Sequence, residues 1–464
     1  MKIKFYNTMS RNKEEFIPIL PGVVHLYACG PTVYNFAHIG NLRTYIFNDI
    51  LRRVIIENGF KLKHVMNITD VGHLTGDDDD GEDKMLLGAK REKKSVYDVA
   101  RFYEDAFFHD TGLLNIVRPD IICRATDHIK EMIEMNKRIE NNGYTYFKGG
   151  NLYFDTEKLD DYGKLARLKI DELKHGARTD VDPNKKSITD FVLWFTKSKF
   201  DNQEMKWDSP WGTGYPGWHI ECCAMSIRYL GEQFDIHTGG IDHIPIHHTN
   251  EIAEAEAATG KKPWVKYWMH GEFLVMDKGK MSKSSGEFIT LKSITDRGFN
   301  PLAYRFLCLG AHYRKQLMFS WDAMEGASQG YKSLKNKINE LKKSETKTGD
   351  YQREEFYRNE FKIRINDDLN IPKAIALLND MFRDIKLGNI EKLKLIGEFD
   401  RILGLELLKE EEIGIPDDVL DLVNERAKAR EEKNYELSDK YRDEIKKRGY
   451  IVKDTKNGPE IDKI

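Results

Sequence analysis

Three groups of residues carry chemistry by type and spacing. The first is His38-Ile39-Gly40-Asn41, placed after the apolar run Val24–Ala28 and a Cys29-Gly30-Pro31 break. A strand that turns into a helix leaves backbone N–H groups unpaired and aims the positive end of the helix dipole outward, so anions settle there. His38 adds a donor for phosphate oxygens, and Asn41 is read as the N-cap. The second group is Lys280-Met281-Ser282-Lys283-Ser284, bracketed by Gly279, Ser285 and Gly286. Two ammonium groups on a loop of small residues suit a phosphate clamp. The third is a donor set. His247 and Glu251 are four apart on a predicted helix and share a face. Cys222 follows a Gly-Trp-His turn, and Cys29 ends the first strand. Sulfur, imidazole and carboxylate together suit zinc, although His–x3–Glu pairs recur on ordinary helices and buried cysteine often serves as a small hydrophobe. Asp77 to Asp80, between glycines, reads as an exposed polar loop or, alternatively, as a site for a hydrated cation.

The elements that must position these groups follow from periodicity. After Asn41, residues Leu42, Ile46, Ile50, Leu51, Val54 and Ile55 line one side of a helix that Gly59 stops, and Leu62–Ile68 is a second buried strand. A helix covers 95–115. Another starts at Thr126 or Asp127 and ends at Gly143. Tyr144–Phe147 and Asn151–Asp155 flank Lys148-Gly149-Gly150, a hairpin signal. Polar residues dominate from Asp160 to Lys186 and interrupt the α/β alternation. Phe234–His237 is a short buried strand ending in Thr238-Gly239-Gly240, with Asp242 next. A helix carrying His247, His248 and Glu251 runs to about Thr259, and Trp268–Met276 reads as a strand leading into the lysine loop. From Pro301 onward the pattern is helical, with no strand signal before Tyr450–Val452. The predicted architecture is an α/β Rossmann-type parallel-sheet domain over 1–310, with a connective insertion at about 115–205. A helical linker over 311–345 and an all-α helical bundle over 346–464 follow.

The totals narrow the function classes. The 464 residues accommodate roughly three domains. A net charge of −3 argues against a histone-like nucleic-acid binder and leaves room for a local basic face. Charged residues make up 32% of the chain, no apolar run approaches the roughly 18 residues of a membrane span, and the N-terminal stretch lacks an apolar signal core. A soluble cytoplasmic protein is expected. Five scattered cysteines do not form a disulfide framework and point to a reducing compartment.

Taken together, the His38–Asn41 turn and the Lys280–Ser284 loop resemble the HIGH and KMSKS signatures of class I aminoacyl-tRNA synthetases. The stretches CGPTVYNFAHIGN, GWHIECCAM, HTGGIDHIPIHH and the closing DTKNGP narrow the resemblance to the cysteinyl-tRNA synthetase family, over nearly the whole chain. The resemblance implies a cysteine–tRNA ligase that uses L-cysteine, ATP with Mg²⁺, and tRNA(Cys), as a monomer. It implies one zinc ion held by Cys29, Cys222, His247 and Glu251 to recognise the substrate thiolate. It implies ATP contacts from His38, Asn41, Gly239, Asp242 and Lys283, with Lys280 and Lys283 neutralising charge toward pyrophosphate. Trp218, Thr69 and His237 are candidates for the amino-acid pocket; for Trp218 the alternative is a core aromatic. Arg426, Lys428, Arg430, Lys433, Lys440 and Arg442 are candidate phosphate contacts of the helical domain. Asn41 departs from the signature, keeping a donor and losing an imidazole, and the Asp77–Asp80 loop is longer than the family's acidic turn. Two alternatives remain open: a cysteine ligase with an amino-sugar acceptor, and a non-catalytic tRNA-binding module derived from a synthetase.

Overall fold

The computed structural model describes residues 2–70, 84–92, 94–168, 182–197, 205–276, 288–344, 349–410, 416–455 and 458–463. The chain divides into two compact units, Met1–Leu407 and Leu408–Ile464.

In the first unit β1 (Lys4–Asn7) and β2 (Asn12–Glu15) form an antiparallel pair. The central sheet then takes β3 (Val23–Ala28), β4 (Lys61–Ile68) and β5 (Ile121–Arg124) from the early chain. The region between contributes a separate antiparallel sheet of β6 (Thr145–Lys148), β7 (Asn151–Phe154), β8 (Phe191–Phe195) and β9 (Tyr215–Pro216). Its first hairpin turns at Gly149 and Gly150, both at positive φ (63° and 97°), the geometry of a two-residue type I′ turn. The chain returns to the central sheet with β10 (Phe234–Gly240) and β11 (Val265–Gly271).

The central order is β11-β10-β3-β4-β5, all parallel. Helices must bridge parallel neighbours, and they cover both faces, so the strands are buried along most of their length, polar positions such as Asp235, His237 and Asn67 included. Val24, Leu26, Tyr27, Ala28, Phe234 and Ile236 have no solvent exposure. The order of succession reverses between β3 and β10, and in open parallel sheets ligands bind outside the carboxyl ends of the strands at that reversal. Here those ends are Ala28-Cys29-Gly30 and Thr238-Gly239-Gly240, spliced by Cys29 N–H donating to Thr238 O at 3.1 Å.

The Ile39–Glu57 helix crosses from β3 to β4, presenting Leu42, Ile46, Ile50, Leu51, Val54 and Ile55 inward as the periodicity requires. Its fully buried Asp49 meets Arg305 of the Pro301–Leu309 helix, where Nη2 donates to Asp49 Oδ2 at 2.6 Å and Nε to Leu403 O at 2.7 Å. The helices Trp321–Lys343, Tyr351–Asn366, Ile371–Arg383 and Asn389–Leu403 complete this unit. Several strands were absent from the periodicity: β5, which lies in the stretch expected to be the insertion yet joins the central sheet, β8, and one more beyond Pro301. β12 (Leu274–Met276) pairs in parallel with β13 (Leu317–Phe319), inside the stretch expected to be helical throughout; three residues are too short to show a period. The second unit holds helices Asp417–Glu431 and Tyr435–Lys447 and an antiparallel hairpin, β14 (Tyr450–Thr455) with β15 (Gly458–Lys463), where the sequence signals a strand at Tyr450. Among the described residues no helix is long and apolar enough to cross a membrane.

Candidate active site

The turn after β3 is built around a histidine cap. His38 has extended backbone (φ −81°, ψ 163°) and is the N-cap of the Ile39–Glu57 helix. Its Nδ1 accepts from Asn41 N–H at 3.1 Å, and Asn41 Oδ1 accepts from His38 N–H at 3.2 Å, a reciprocal capping box. This corrects the assignment of the cap to Asn41, which sits at the third helical position because Ile39 and Gly40 are already helical. With Nδ1 spent as an acceptor, the neutral ring carries its proton on Nε2. Burial holds His38 below the ordinary imidazole value, with Asp242 opposing only in part. His38 is therefore a neutral donor whose orientation the helix fixes.

A cleft of about 320 Å³ opens at the strand reversal, lined by Cys29, His38, Asn41, Trp218, Gly239 and Asp242 among others. Trp218 stacks on the His247 ring, centroids 4.5 Å apart at 27°. Gly239 is required by space: a Cβ there would lie 2.6 Å from His248 Cε1 and 2.7 Å from His243 Nδ1. Thr69 and His237 do not line the cleft. The Thr69 hydroxyl donates to Glu221 Oε2 at 3.1 Å and accepts from Asn67 Nδ2 at 3.1 Å. His237 stacks on Trp268 at 4.7 Å, with Nε2 2.8 Å from Glu251 Oε2. Lys280, Lys283 and Asp77–Asp80 lie outside the described residues.

Below the cleft floor, one donor atom each from Cys29, Cys222, His247 and Glu251 falls within 4.8 Å of the others, all four residues buried. Cys222 Sγ is 3.7 Å from His247 Nε2, which is 2.7 Å from Glu251 Oε1. Both Glu251 oxygens are buried with no aligned hydrogen bond. Burial alone would raise this carboxyl, but the adjoining His247 and His237 outweigh it and hold it well below the usual range. A carboxylate left without hydrogen bonds among sulfur and imidazole donors fits a divalent cation. Two further sets meet the same distance test, Cys29-His243-His247-His248 and Cys29-His237-His248-Glu251, and both need His248. The rings of His247 and His248 are alike in having Nε2 toward a cysteine sulfur and Nδ1 toward another histidine, His247 Nδ1 lying 3.0 Å from His219 Nδ1. In His248, Nε2 lies 3.3 Å from Cys29 Sγ and Nδ1 2.8 Å from His270 Nε2, while His270 Nδ1 lies 2.8 Å from Thr8 Oγ1. The set with Cys222 and His247 is the one that brings two sulfurs together with an imidazole and a carboxylate. Without a cation, burial pushes the Cys29 thiol up to about 11, and contact with Cys29 together with burial pushes Cys222 well above the usual thiol value; a bound cation would reverse this and hold both as thiolates.

Several supporting residues were not singled out in sequence. The buried Arg43, two positions beyond Asn41, donates from Nη1 to the carbonyls of Glu272 and Phe273 and from Nη2 to those of His312 and Lys315. It ties the His38-capped helix to the root of β12. Its place two residues beyond the first motif was the only available signal. Glu221, beside Cys222, is buried, which pushes its carboxyl up to about 8 against the Thr69 hydrogen bond. In the second unit Arg426 is buried and bidentate to Asp454 at 2.8 Å and 2.8 Å, so it braces the unit. Arg430, Arg442 and Lys428 pair with Asp454, Asp439 and Glu425.

A parallel doubly wound sheet, a histidine-capped anion turn and a cleft at the strand reversal define an α/β enzyme of the class I synthetase type. Residues 15–329 match the family of tRNA synthetases class I (C), catalytic domain, and residues 413–460 match the cysteinyl-tRNA ligase anticodon binding domain. Curated relatives include a cysteine–tRNA ligase of Treponema denticola, 51% identical over 98% of each chain. Another is cysteine–tRNA ligase 1 of Burkholderia lata, 46% identical over 99% of this chain and 97% of that one. The structure is similar to Mycobacterium tuberculosis methionyl-tRNA synthetase in complex with methionyl-adenylate, with a TM-score of 0.56 at 13% identity over 86% of this chain and 94% of that one, a likeness of fold. The chain belongs to the cysteinyl-tRNA ligases of the class I aminoacyl-tRNA synthetases. It is a ligase. The anticodon-binding match does not fit an amino-sugar acceptor, and the catalytic-domain match with near-full-length likeness to cysteine–tRNA ligases gives no support to a module without catalysis.

Proposed function

We propose that the chain charges tRNA(Cys) with L-cysteine in two steps, and that the donor set beneath Trp218 selects the amino acid. The observation that carries this reading is the buried Cys29-Cys222-His247-Glu251 set, of which Cys29 and His247 line the same cleft as the capped His38. In the first step the cysteine carboxylate attacks the α-phosphate of ATP, forming the adenylate and releasing pyrophosphate. His38 donates from Nε2 to phosphate oxygens, and Asn41 keeps that ring in place. Gly239 lets the backbone approach the nucleotide, and Asp242 accepts from the ribose hydroxyls. Lys280 and Lys283 neutralise charge building toward pyrophosphate, and Mg²⁺ arrives with ATP. Such displacements rest on positioning and charge stabilisation. In the second step a ribose hydroxyl of the tRNA 3′ adenosine attacks the acyl carbon, releasing AMP.

Cys29, Cys222, His247 and Glu251 are assigned to hold one zinc ion, which when bound supplies a soft Lewis acid that prefers a thiolate to a hydroxyl. An apolar pocket alone separates sulfur from oxygen poorly. Trp218 closes over the small side chain. His237 braces Glu251, and Thr69 holds Glu221 beside Cys222, so both support the pocket from behind. We assign the protein to the cytoplasm as a monomer.

The test is transfer of labelled cysteine to total tRNA with ATP, Mg²⁺ and zinc-replete protein, with serine as the control. Ribonuclease-sensitive, cysteine-specific labelling is expected. Equal labelling by serine would overturn the metal's role in selection, and cysteine-dependent pyrophosphate exchange without transfer would overturn the acceptor.

A further inference from the structure

The mouth of the cleft carries aromatic rings that neither the core nor the adenylation step uses. Phe36 is 45% exposed and Phe102 44% exposed. Both touch Tyr103, Phe36 at 5.0 Å and 89° and Phe102 at 5.0 Å and 78°, and they meet each other at 5.9 Å and 72°. Edge-on packing fixes the rings and leaves close to half of the surface of Phe36 and Phe102 open. The group is held rigidly. Phe102 and Tyr103 ride on the Val96–Leu113 helix, capped by Ser95, and Arg91 Nη2 donates to Tyr34 O and Tyr103 Oη at 2.9 Å each. Lys94 Nζ stands 4.8 Å from the Phe102 ring centroid. Phe36, Tyr34 and Tyr103 also line the cleft, so the group is continuous with the site where the adenylate forms.

Adjacent aromatic rings left half-exposed at the rim of a cleft form the kind of apolar patch that marks an interaction site. The second substrate of the reaction must enter this cleft as a single strand, and single strands are bound by stacking bases on aromatic faces with cations near the phosphates. We propose that Phe36 and Phe102, with Lys94, form a stacking platform for the unpaired 3′ nucleotides of tRNA. The proposal rests on the tRNA-charging reading.

The test compares wild type, Phe102→Leu, Phe102→Trp and Lys94→Gln. It measures the tRNA KM in charging, tRNA-free pyrophosphate exchange, and affinity for intact tRNA against tRNA trimmed of its 3′ nucleotides. Phe102→Leu should raise the tRNA KM about tenfold, the scale of one lost base stack. Phe102→Trp should restore it, and Lys94→Gln should flatten the salt dependence of binding. Exchange should stay at the wild-type rate, and trimmed tRNA should bind Phe102→Leu and wild type alike. Equal weakening toward intact and trimmed tRNA, no weakening toward either, or a fall in exchange would each overturn the platform. Failure of wild type to charge any tRNA while exchange persists would instead overturn the underlying reading.

Discussion

His38 does two things with its two ring nitrogens, and substitution can separate them. His38→Asn keeps an acceptor for Asn41 N–H and removes the outward donor. His38→Ala removes both. Both variants should lose most pyrophosphate exchange, while only the alanine variant should lose about 1 kcal/mol of stability, read by urea unfolding. The cap also sets a pH dependence. Burial depresses the folded His38 below its ordinary value, so its stabilisation is present above that value and lost as pH falls through the folded one, where Nδ1 is protonated and cannot accept. Unfolding at pH 8 and pH 5 should show the wild type losing ground to His38→Asn. Asn41 looked like the cap because asparagine favours that position; imidazole Nδ1 sits as far along its side chain as the asparagine oxygen and can substitute for it. A second residue-scale prediction concerns the chain of contacts Thr8–His270–His248–Cys29. Thr8→Val keeps the shape and removes the hydroxyl. Zinc affinity, measured by chelator competition, should fall about tenfold or more, as for lost outer-sphere partners elsewhere.

At the level of elements, Arg43 bears more load than its unremarked place beyond the motif suggests. Its buried guanidinium serves four carbonyls, from Glu272, Phe273, His312 and Lys315. Arg43→Met strands those acceptors, and hydrogen bonds to a charged donor contribute about 1.5–3 kcal/mol each before relaxation. A loss of about 3 kcal/mol in urea unfolding is expected, with a higher KM for ATP, because β12 leads toward the lysine loop. Unchanged stability would refute the tie. β3, β4 and β10 and the helix between the first two were legible because each carries several apolar residues at its own period, whereas β5 was missed because Ile121–Arg124 is four residues long and falls in the stretch read as insertion. β13 was not legible either, since Leu317–Phe319 offers three residues and its pairing depends on a distant partner. The Gly149-Gly150 hairpin was legible because its turn chemistry is local.

For the whole molecule, the balance is between the buried donor set and the cation it fits. Binding stabilises the folded state by RT ln(1 + [L]/Kd), about 2.7 kcal/mol at a hundredfold excess over Kd. Chelation should therefore lower the thermal midpoint of the wild type, and readdition of zinc should restore it. A chelator-insensitive midpoint would argue against an ion at Glu251. The division into units was the least legible feature. Amphipathic helices over 351–403 look alike whichever unit they join; only contacts such as Arg305 to Leu403 O and Tyr331 Oη to Leu405 O place them with the sheet. The four donors carry legible residue types, and spacing alone does not separate His247 from His248, since each turns Nε2 toward a cysteine and Nδ1 toward another histidine. The basic residues near 426–442 read as phosphate contacts because sequence does not display the Asp454 carboxylate that Arg426 and Arg430 share.

The splice between Cys29 N–H and Thr238 O has a consequence for how such a chain tolerates change. The two halves of the site come from stretches separated by the whole connective insertion, yet they meet across one strand-to-strand interval, about 4.8 Å in any sheet. Closing a longer loop costs only logarithmically more. The insertion can lengthen, shorten or be rebuilt from one lineage to the next while the spacing across the cleft stays fixed, so the gauge of the active site is inherited separately from the length of its chain.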